Sequence, residues 1–169
     1  MKRIIIVIFC FISLNSFAQE ESKSLFNTGL RHFTSGQYQQ AVDVFTTVFD
    51  MDPDYTEAIL KRGMSYSMMG EYEMAVEDFT YVIEVEPEHS WAIVSRGSAY
   101  NKLKLYELAI DDFNAAIELD PKDQEAYNNR GFALKKLGRS EEACADWNKS
   151  KRLGNKEAKV ILKNNYCSR

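Results

Sequence analysis

The chain has 169 residues, and its 21 Lys and Arg against 25 Asp and Glu give a formal net charge of −4. With 45% hydrophobic and 27% charged residues it falls in the ordinary globular range, which excludes a disordered, collagen-like or multi-spanning membrane protein. The lack of a basic excess disfavours nucleic acid as a partner. Only 2 His and 3 Cys are present, so few of the side chains that commonly serve in catalysis or bind metal ions are available.

The N-terminal segment 1–18 has the pattern of a secretory signal peptide. Lys2 and Arg3 precede the apolar run Ile4–Ile12, and small or polar residues follow as far as Ala18. The run is shorter than the roughly 18 apolar residues that a membrane-spanning helix needs. Cys10 lies inside this run and follows bulky residues, so no lipid anchor is expected. We therefore expect cleavage after Ala18 and export to the periplasm or the exterior.

A repeat with a period of about 34 residues organises the rest of the chain. Glycine recurs at this spacing in one column, alanine in a second and a large aromatic residue in a third. The columns are Gly29, Gly63, Gly97 and Gly131; Ala41, Ala75, Ala109 and Ala143; and Phe45, Phe79, Phe113 and Trp147. Pro53, Pro87 and Pro121 close three of the units. Self-similarity at a fixed period predicts stacked helical units, because no single unit can bury its apolar face alone.

Each unit is predicted to be a helical hairpin. In the second unit, apolar residues at helical spacing run up to a break at Gly70 and resume from Tyr72 until Pro87 stops them. A glycine within a helix costs about 1 kcal/mol relative to alanine. Its presence four times in register indicates close helix packing, with the large aromatic residue of the second helix filling the space.

The residues of the third unit resemble the tetratricopeptide repeat (TPR). They match its pattern of Leu-Gly, Tyr, Ala, Phe and Pro with Arg96-Gly97, Tyr100, Ala109, Phe113 and Pro121. The resemblance covers the chain from Ser22 to Asn155. It implies an all-α fold, a right-handed superhelical stack of four antiparallel helix pairs with a ninth, capping helix.

The predicted organisation has three parts. Residues 1–18 form the signal peptide, residues 19–155 hold four TPR units (22–55, 56–89, 90–123 and 124–155), and residues 156–169 form the capping helix and tail. Cys144 and Cys167 lie at similar distances on either side of the turn at Gly154, so an antiparallel hairpin would bring them together. Export would permit a disulfide there. The alternative is that Cys144 is a small core residue and Cys167 belongs to a frayed tail.

Signatures of chemistry are missing from the sequence. No His-Glu-x-x-His, Gly-x-Ser-x-Gly or Gly-x-x-x-x-Gly-Lys motif occurs, so we expect no enzyme and no cofactor. His32 is expected to pack between helices, and His89 lies at a repeat junction without a second metal ligand. The run from Asp50 to Asp54 imitates the start of a calcium loop, but the required Gly and bidentate Glu are absent, so it is interpreted as a solvated junction.

Three arginines each precede an aspartate by the same interval. The pairs are Arg62 with Asp78, Arg96 with Asp112, and Arg130 with Asp146. This separation places both members on facing helices of one hairpin. Structural ion pairs are predicted in preference to a ligand site.

The resemblance assigns the partner-binding surface to the first helix of each unit, which lines a concave groove in this family. Its register selects Phe26, Leu30, Phe33, Leu60, Lys61, Met64, Met68, Trp91, Val94, Asn101, Asn128 and Phe132. Apolar members recur at spacings of three and four, so they form a stripe. The family's carboxylate clamp for acidic C-terminal peptides is not matched. We therefore expect a protein or peptide partner with apolar anchors.

Two alternatives stay open for this surface. The same residues could mediate self-association into a homo-oligomer of an envelope assembly, without a peptide ligand. They could also be covered, either by packing between adjacent first helices or by the N-terminal residues. As a function for the whole chain, an enzyme comes third, after a binding module and a self-associating module.

Overall fold

The computed structural model describes residues 19–164 and 167. Every regular element in this range is an α-helix. The helices are α1 (19–34), α2 (Tyr38–Met51), α3 (Thr56–Met69), α4 (Tyr72–Val85), α5 (Ser90–Lys102), α6 (Tyr106–Leu119), α7 (Gln124–Lys136), α8 (Ser140–Leu153) and α9 (Lys156–Asn164). The chain divides into two compact parts, with the boundary between Glu71 and Tyr72. We call the part before this boundary the first unit and the part after it the second unit; these two units differ from the four repeat units. The predicted signal peptide, residues 1–18, lies outside the described residues.

Turn residues end the helices where the sequence predicts. Gly70 takes a positive φ of 86° after α3, and the N–H of Glu71 donates to Tyr66 O at 2.9 Å, which satisfies a terminal carbonyl. Each of α2, α4 and α6 ends two residues before a proline, which has no N–H to continue a helix. Lys104 takes the left-handed conformation at the place equivalent to Gly70, with a φ of 63°.

Side chains satisfy the N-terminal amides of two first helices. His89 Nδ1 accepts from the N–H of Ala92 at the start of α5. Asp123 Oδ1 accepts from the N–H groups of Glu125 and Ala126 at the start of α7. These bonds replace partners that the first turn of a helix lacks. His89 is therefore a helix cap at a repeat junction.

An aromatic cluster forms the core of the first unit. The ring of Phe26 lies 5.5 Å from that of Phe45 and 4.8 Å from that of Tyr55, measured between centroids. A Cβ placed on Gly29 would come within 2.5 Å of Phe45 Cε1, so only glycine allows α1 this close to α2. The predicted pairing of the glycine and aromatic columns is confirmed here.

A continuous apolar core runs through the second unit. Consecutive helices from α4 to α9 pack against one another, and α5 also contacts α7. A Cβ on Gly97 would lie 2.9 Å from the Phe113 ring, and one on Gly131 would lie 2.7 Å from Trp147 Nε1. The two aromatic side chains are almost completely buried. Each aromatic ring thus fills the space that the missing side chain of the facing glycine leaves between the two helices.

The last helix, α9, covers the end of the core of the second unit. Ala158 is fully buried in that core, and Ile161 and Leu162 pack against it. Ser150 Oγ of α8 donates to Gln124 O of α7 at 2.6 Å. The predicted all-α fold of consecutive helix pairs with a capping helix is confirmed for the described residues.

Candidate interaction surface

Arginines of the first helices bind carboxylates of the second helices within the second unit. Arg96 Nε and Nη2 donate to the two carboxylate oxygens of Asp112 at 2.9 and 2.7 Å. Its third nitrogen, Nη1, donates to Thr80 Oγ1 of the preceding second helix at 3.2 Å. The guanidinium therefore joins α5 to both α4 and α6, and the hydrogen bonds to Asp112 raise the pKa of Arg96.

The same arrangement recurs one repeat later. Arg130 donates two hydrogen bonds to Asp146, at 2.8 and 2.7 Å, and one to Asn114 Oδ1 at 2.7 Å. Hydrogen bonding to Asp146 raises the pKa of Arg130. Two of the three predicted ion pairs are thereby confirmed. Arg62 and Asp78 belong to different units, and their pairing stays a prediction.

A second set of partners for these arginines was not predicted from the sequence. Each acceptor precedes its arginine by the interval that separates the arginine from its aspartate. The acceptors are Thr46, Thr80 and Asn114, and Arg62 Nη1 donates to the first of them at 3.2 Å. Each arginine thus has polar residues at equal spacing on both sides along the chain. This regular spacing is the signal that could have identified them.

Removal of one carboxylate tests these cross-links. We expect Asp146→Ala to lower the free energy of unfolding by about 2 kcal/mol, because a largely buried guanidinium loses a bidentate partner. Urea denaturation followed by circular dichroism measures the loss. The matched control is Glu142→Ala, which removes an equally short bidentate contact with Arg139 from the exposed surface. Water replaces that contact, so little change is expected; equal losses in the two variants would contradict the structural role.

A ladder of polar side chains joins α5 to α7. Asn101 Nδ2 donates to Asn129 O at 3.1 Å, and Asn129 Nδ2 donates to Ser98 Oγ at 3.3 Å. These bonds bring two successive first helices together without an intervening second helix. The faces beside the ladder consequently form one surface.

Large apolar side chains stand on both sides of this ladder. Trp91 and Val94 precede Ser98 by seven and four residues, which places all three on one face of α5. Phe132 follows Asn129 by three residues on α7. Trp91 is 69% exposed and Phe132 is 43% exposed, while Val94 is half-buried. We call these five residues the α5–α7 face.

An open cleft lies at one end of the α5–α7 face. Trp91 and Val94 form one wall, and the junction between α6 and α7 forms the other. That junction contributes Asp120, Lys122 and Asp123. The cleft thus combines an exposed indole with charged groups at its rim.

The other predicted groove residues range from buried to exposed. In the first unit, Phe26 and Leu60 are buried. Leu30, Phe33, Lys61 and Met64 are half-buried, and Met68 is 57% exposed. Lys61 Nζ lies 3.1 Å from Glu57 Oε1. Phe26 contributes to the aromatic core, so most of its surface is unavailable to a partner.

Two predicted groove residues of the second unit bind neighbouring helices. Asn101 belongs to the polar ladder, and its buried Oδ1 has no hydrogen-bond partner within the described residues. Asn128 is 7% exposed, its Nδ2 donates to Glu157 of α9 at 3.4 Å, and its carbonyl accepts from Trp147 Nε1 at 3.2 Å. Asn128 therefore helps to hold the capping helix.

A disulfide joins Cys144 of α8 to Cys167 beyond α9, with 5.4 Å between their Cα atoms. The bond closes the hairpin that α8 and α9 form around Gly154. Gly154 itself has a φ of 113°, which a side chain would disfavour. The chain end is thus covalently held against the core that α9 covers.

The described residues 19–164 and 167 contain no cluster of three or more His, Cys, Asp or Glu suited to a metal ion. His32 Nδ1 lies 2.7 Å from Gln37 Oε1, so this ring takes part in a local hydrogen bond. Among the helices of these residues, none combines the length and apolar character required to span a bilayer.

Family models and solved structures share this architecture. Models described as tetratricopeptide repeat match residues 57–89 and 124–158, and one described as TPR repeat matches residues 97–138. No curated protein matches the sequence significantly.

Among solved structures, MamA 41-end from Desulfovibrio magneticus RS-1 is similar with a TM-score of 0.75 and 24% identity, covering 78% of this chain and 75% of that one. The OM64 TPR domain of Arabidopsis has a TM-score of 0.65 and 28% identity, covering 67% of this chain and 95% of that domain. The three matched models together span more than half of the sequence. The chain therefore belongs to the tetratricopeptide repeat family.

Proposed function

We propose that this chain is an exported, non-catalytic scaffold that binds a protein or peptide segment carrying apolar anchors. The TPR fold supports the general role of a protein-interaction scaffold. The observation that carries the specific proposal is the 69% exposure of Trp91 on the α5–α7 face. Aromatic side chains of this size supply much of the binding energy of protein interfaces when a partner desolvates them.

The composition of the α5–α7 face favours an elongated segment as the ligand. Trp91 and Phe132 offer two apolar contacts, one on each helix, and the amides of the polar ladder lie between the helices. Anchors with a spacing that fits both rings would bind in the manner of a segment in a groove.

Export is proposed from the N-terminal pattern and the cysteines. Residues 1–18 have the zones of a signal peptide, and the Cys144–Cys167 disulfide is compatible with an oxidising compartment. The mature chain would then begin at Gln19, with four TPR units between residues 22 and 155 followed by the capping segment.

Capture by matched variants tests the binding surface. Mature chain beginning at Gln19 is immobilised and exposed to an envelope extract, in parallel with Trp91→Asp/Phe132→Asp and with Leu108→Asp. Leu108 is 46% exposed on α6, outside the α5–α7 face, and so controls for the loss of an exposed apolar side chain. We expect the double variant to lose at least about tenfold in retained partner, which corresponds to about 1.4 kcal/mol. The Leu108 variant should retain wild-type capture.

Two outcomes would contradict this proposal. Equal capture by all three proteins, with equal helical circular dichroism, would place the binding surface elsewhere. Loss of self-association in the Trp91/Phe132 variant, with no captured protein lost, would instead assign the α5–α7 face to a homo-oligomer.

A further inference from the structure

Charge is strongly segregated within the second unit. Residues 72–95 contain six Asp and Glu and no Lys or Arg. Residues 149–163 contain six Lys and Arg and a single carboxylate, Glu157. The two stretches occupy opposite ends of the helix order of the unit, α4 at one end and α8 with α9 at the other. The net charge of −4 conceals this separation.

The exposed side of α9 carries a basic stripe. Lys156, Lys159, Val160 and Lys163 recur at spacings of three and four, which places them along one face of the helix. All four are exposed, Val160 by 58%. None of the three lysines has an ion-pair partner among the described residues. We call these four residues the basic stripe.

The exposed side of α4 carries a matching acidic stripe. Glu73, Glu77 and Glu84 are exposed at spacings of four and seven, so they follow one face of that helix. Met74 and Val85 flank them and are 41% and 52% exposed. Glu73 and Glu77 form no ion pair within the described part of the chain. We call the three glutamates the acidic stripe.

The two stripes cannot neutralise each other within one molecule as it is folded. Each helix of the second unit packs on its neighbour in sequence, so α5 to α8 intervene between α4 and α9. Both stripes are instead open to other molecules. Each has a row of like charges and at least one exposed aliphatic side chain, a combination that suits a partner of opposite charge.

From this complementarity we infer that the chain associates with a second copy of itself, the basic stripe of one copy docking on the acidic stripe of the next. The two docking surfaces differ, so the contact is heterologous, and each copy keeps one stripe open for a further copy. Association therefore produces open-ended assemblies of many copies, and these grow longer as the protein concentration rises. This surface is separate from the α5–α7 face, so its success or failure is independent of the proposed binding function.

Sedimentation velocity of the chain from Gln19 onward tests the inference. The wild type is expected to form larger species at high concentration in about 0.1 M salt and to dissociate in about 1 M salt, where the Debye length falls from roughly 10 to 3 Å. Variant one is Lys159→Glu/Lys163→Glu and variant two is Glu73→Lys/Glu77→Lys. Each variant alone repels copies of itself and sediments as a monomer. An equimolar mixture of the two regains the larger species, because every contact again joins opposite charges.

Controls separate the stripes from general charge effects and from other occupants. Lys102→Glu/Lys104→Glu makes the same charge change at exposed residues outside both stripes and should associate like the wild type. A monomeric wild type at all concentrations, or a mixture that stays monomeric, would overturn the inference. Binding of the monomeric wild type to phosphatidylglycerol vesicles, lost in variant one, would assign the basic stripe to a membrane surface and equally refute the second copy.

Discussion

Replacement of Trp147 by alanine is expected to lower the free energy of unfolding by about 3–5 kcal/mol, the usual cost of removing a large aromatic side chain from a core. Trp147 is 2% exposed, and its indole N–H donates to the carbonyl of Asn128. The ring also fills the space that Gly131 leaves between α7 and α8. Truncation therefore opens a cavity and removes one hydrogen bond to a buried carbonyl. Urea denaturation followed by far-ultraviolet circular dichroism measures the effect.

The chain contains a matched control for this substitution. Trp91 is the same residue type on α5 but is 69% exposed, so Trp91→Ala removes an equal volume without opening a cavity. We expect its stability to stay within about 0.5 kcal/mol of the wild type. If both variants lost similar stability, Trp91 would be a packing residue, and the α5–α7 face would lose its main anchor.

Loss of the disulfide is expected to destabilise the C-terminal hairpin by about 3 kcal/mol, because the bond closes a loop with a sequence separation of 23 residues and so restricts the unfolded chain. Cys144→Ser/Cys167→Ser removes the bond while keeping similar side-chain volume. The free energy of unfolding is measured for this variant and for the wild type with and without dithiothreitol. We expect the reduced wild type and the double variant to lose stability equally.

The state of the thiols provides an independent measurement. Alkylation of the purified, non-reduced wild type under denaturing conditions should modify neither Cys144 nor Cys167, whereas prior reduction should expose both. Free reaction of both thiols without reduction would refute the bond. Equal stability of oxidised and reduced protein would show instead that α9 remains in place through Ala158 and its apolar neighbours alone.

Much of the fold could be predicted because it depends on local spacing. The pairing of Gly131 with Trp147 follows from two columns that keep a constant offset from one unit to the next. The pairing of Arg130 with Asp146 follows from the same offset, since a hairpin of two regular helices places residues at that separation opposite each other. Because the two helices of a hairpin are regular, a fixed interval in the sequence corresponds to a contact between them.

The candidate site was less predictable because exposure depends on what packs over each residue. Trp91 and Asn128 both belong to the predicted groove, yet one is 69% exposed and the other 7%. Asn128 is covered because its amide and carbonyl are engaged by Glu157 and Trp147, partners that lie 29 and 19 residues away. No spacing rule identified those contacts.

By itself, the sequence determined the repeat, its helical hairpins and the glycine–aromatic and arginine–aspartate pairs, since all of these follow from the repeat period and the geometry of a helix. The tertiary structure alone decided which groove residues remain open and which side chains support α9. It also decided that the charges of α4 and α9 form separate exposed stripes. Exposure and electrostatic contact depend on distances between helices, and these distances are set only when the helices pack.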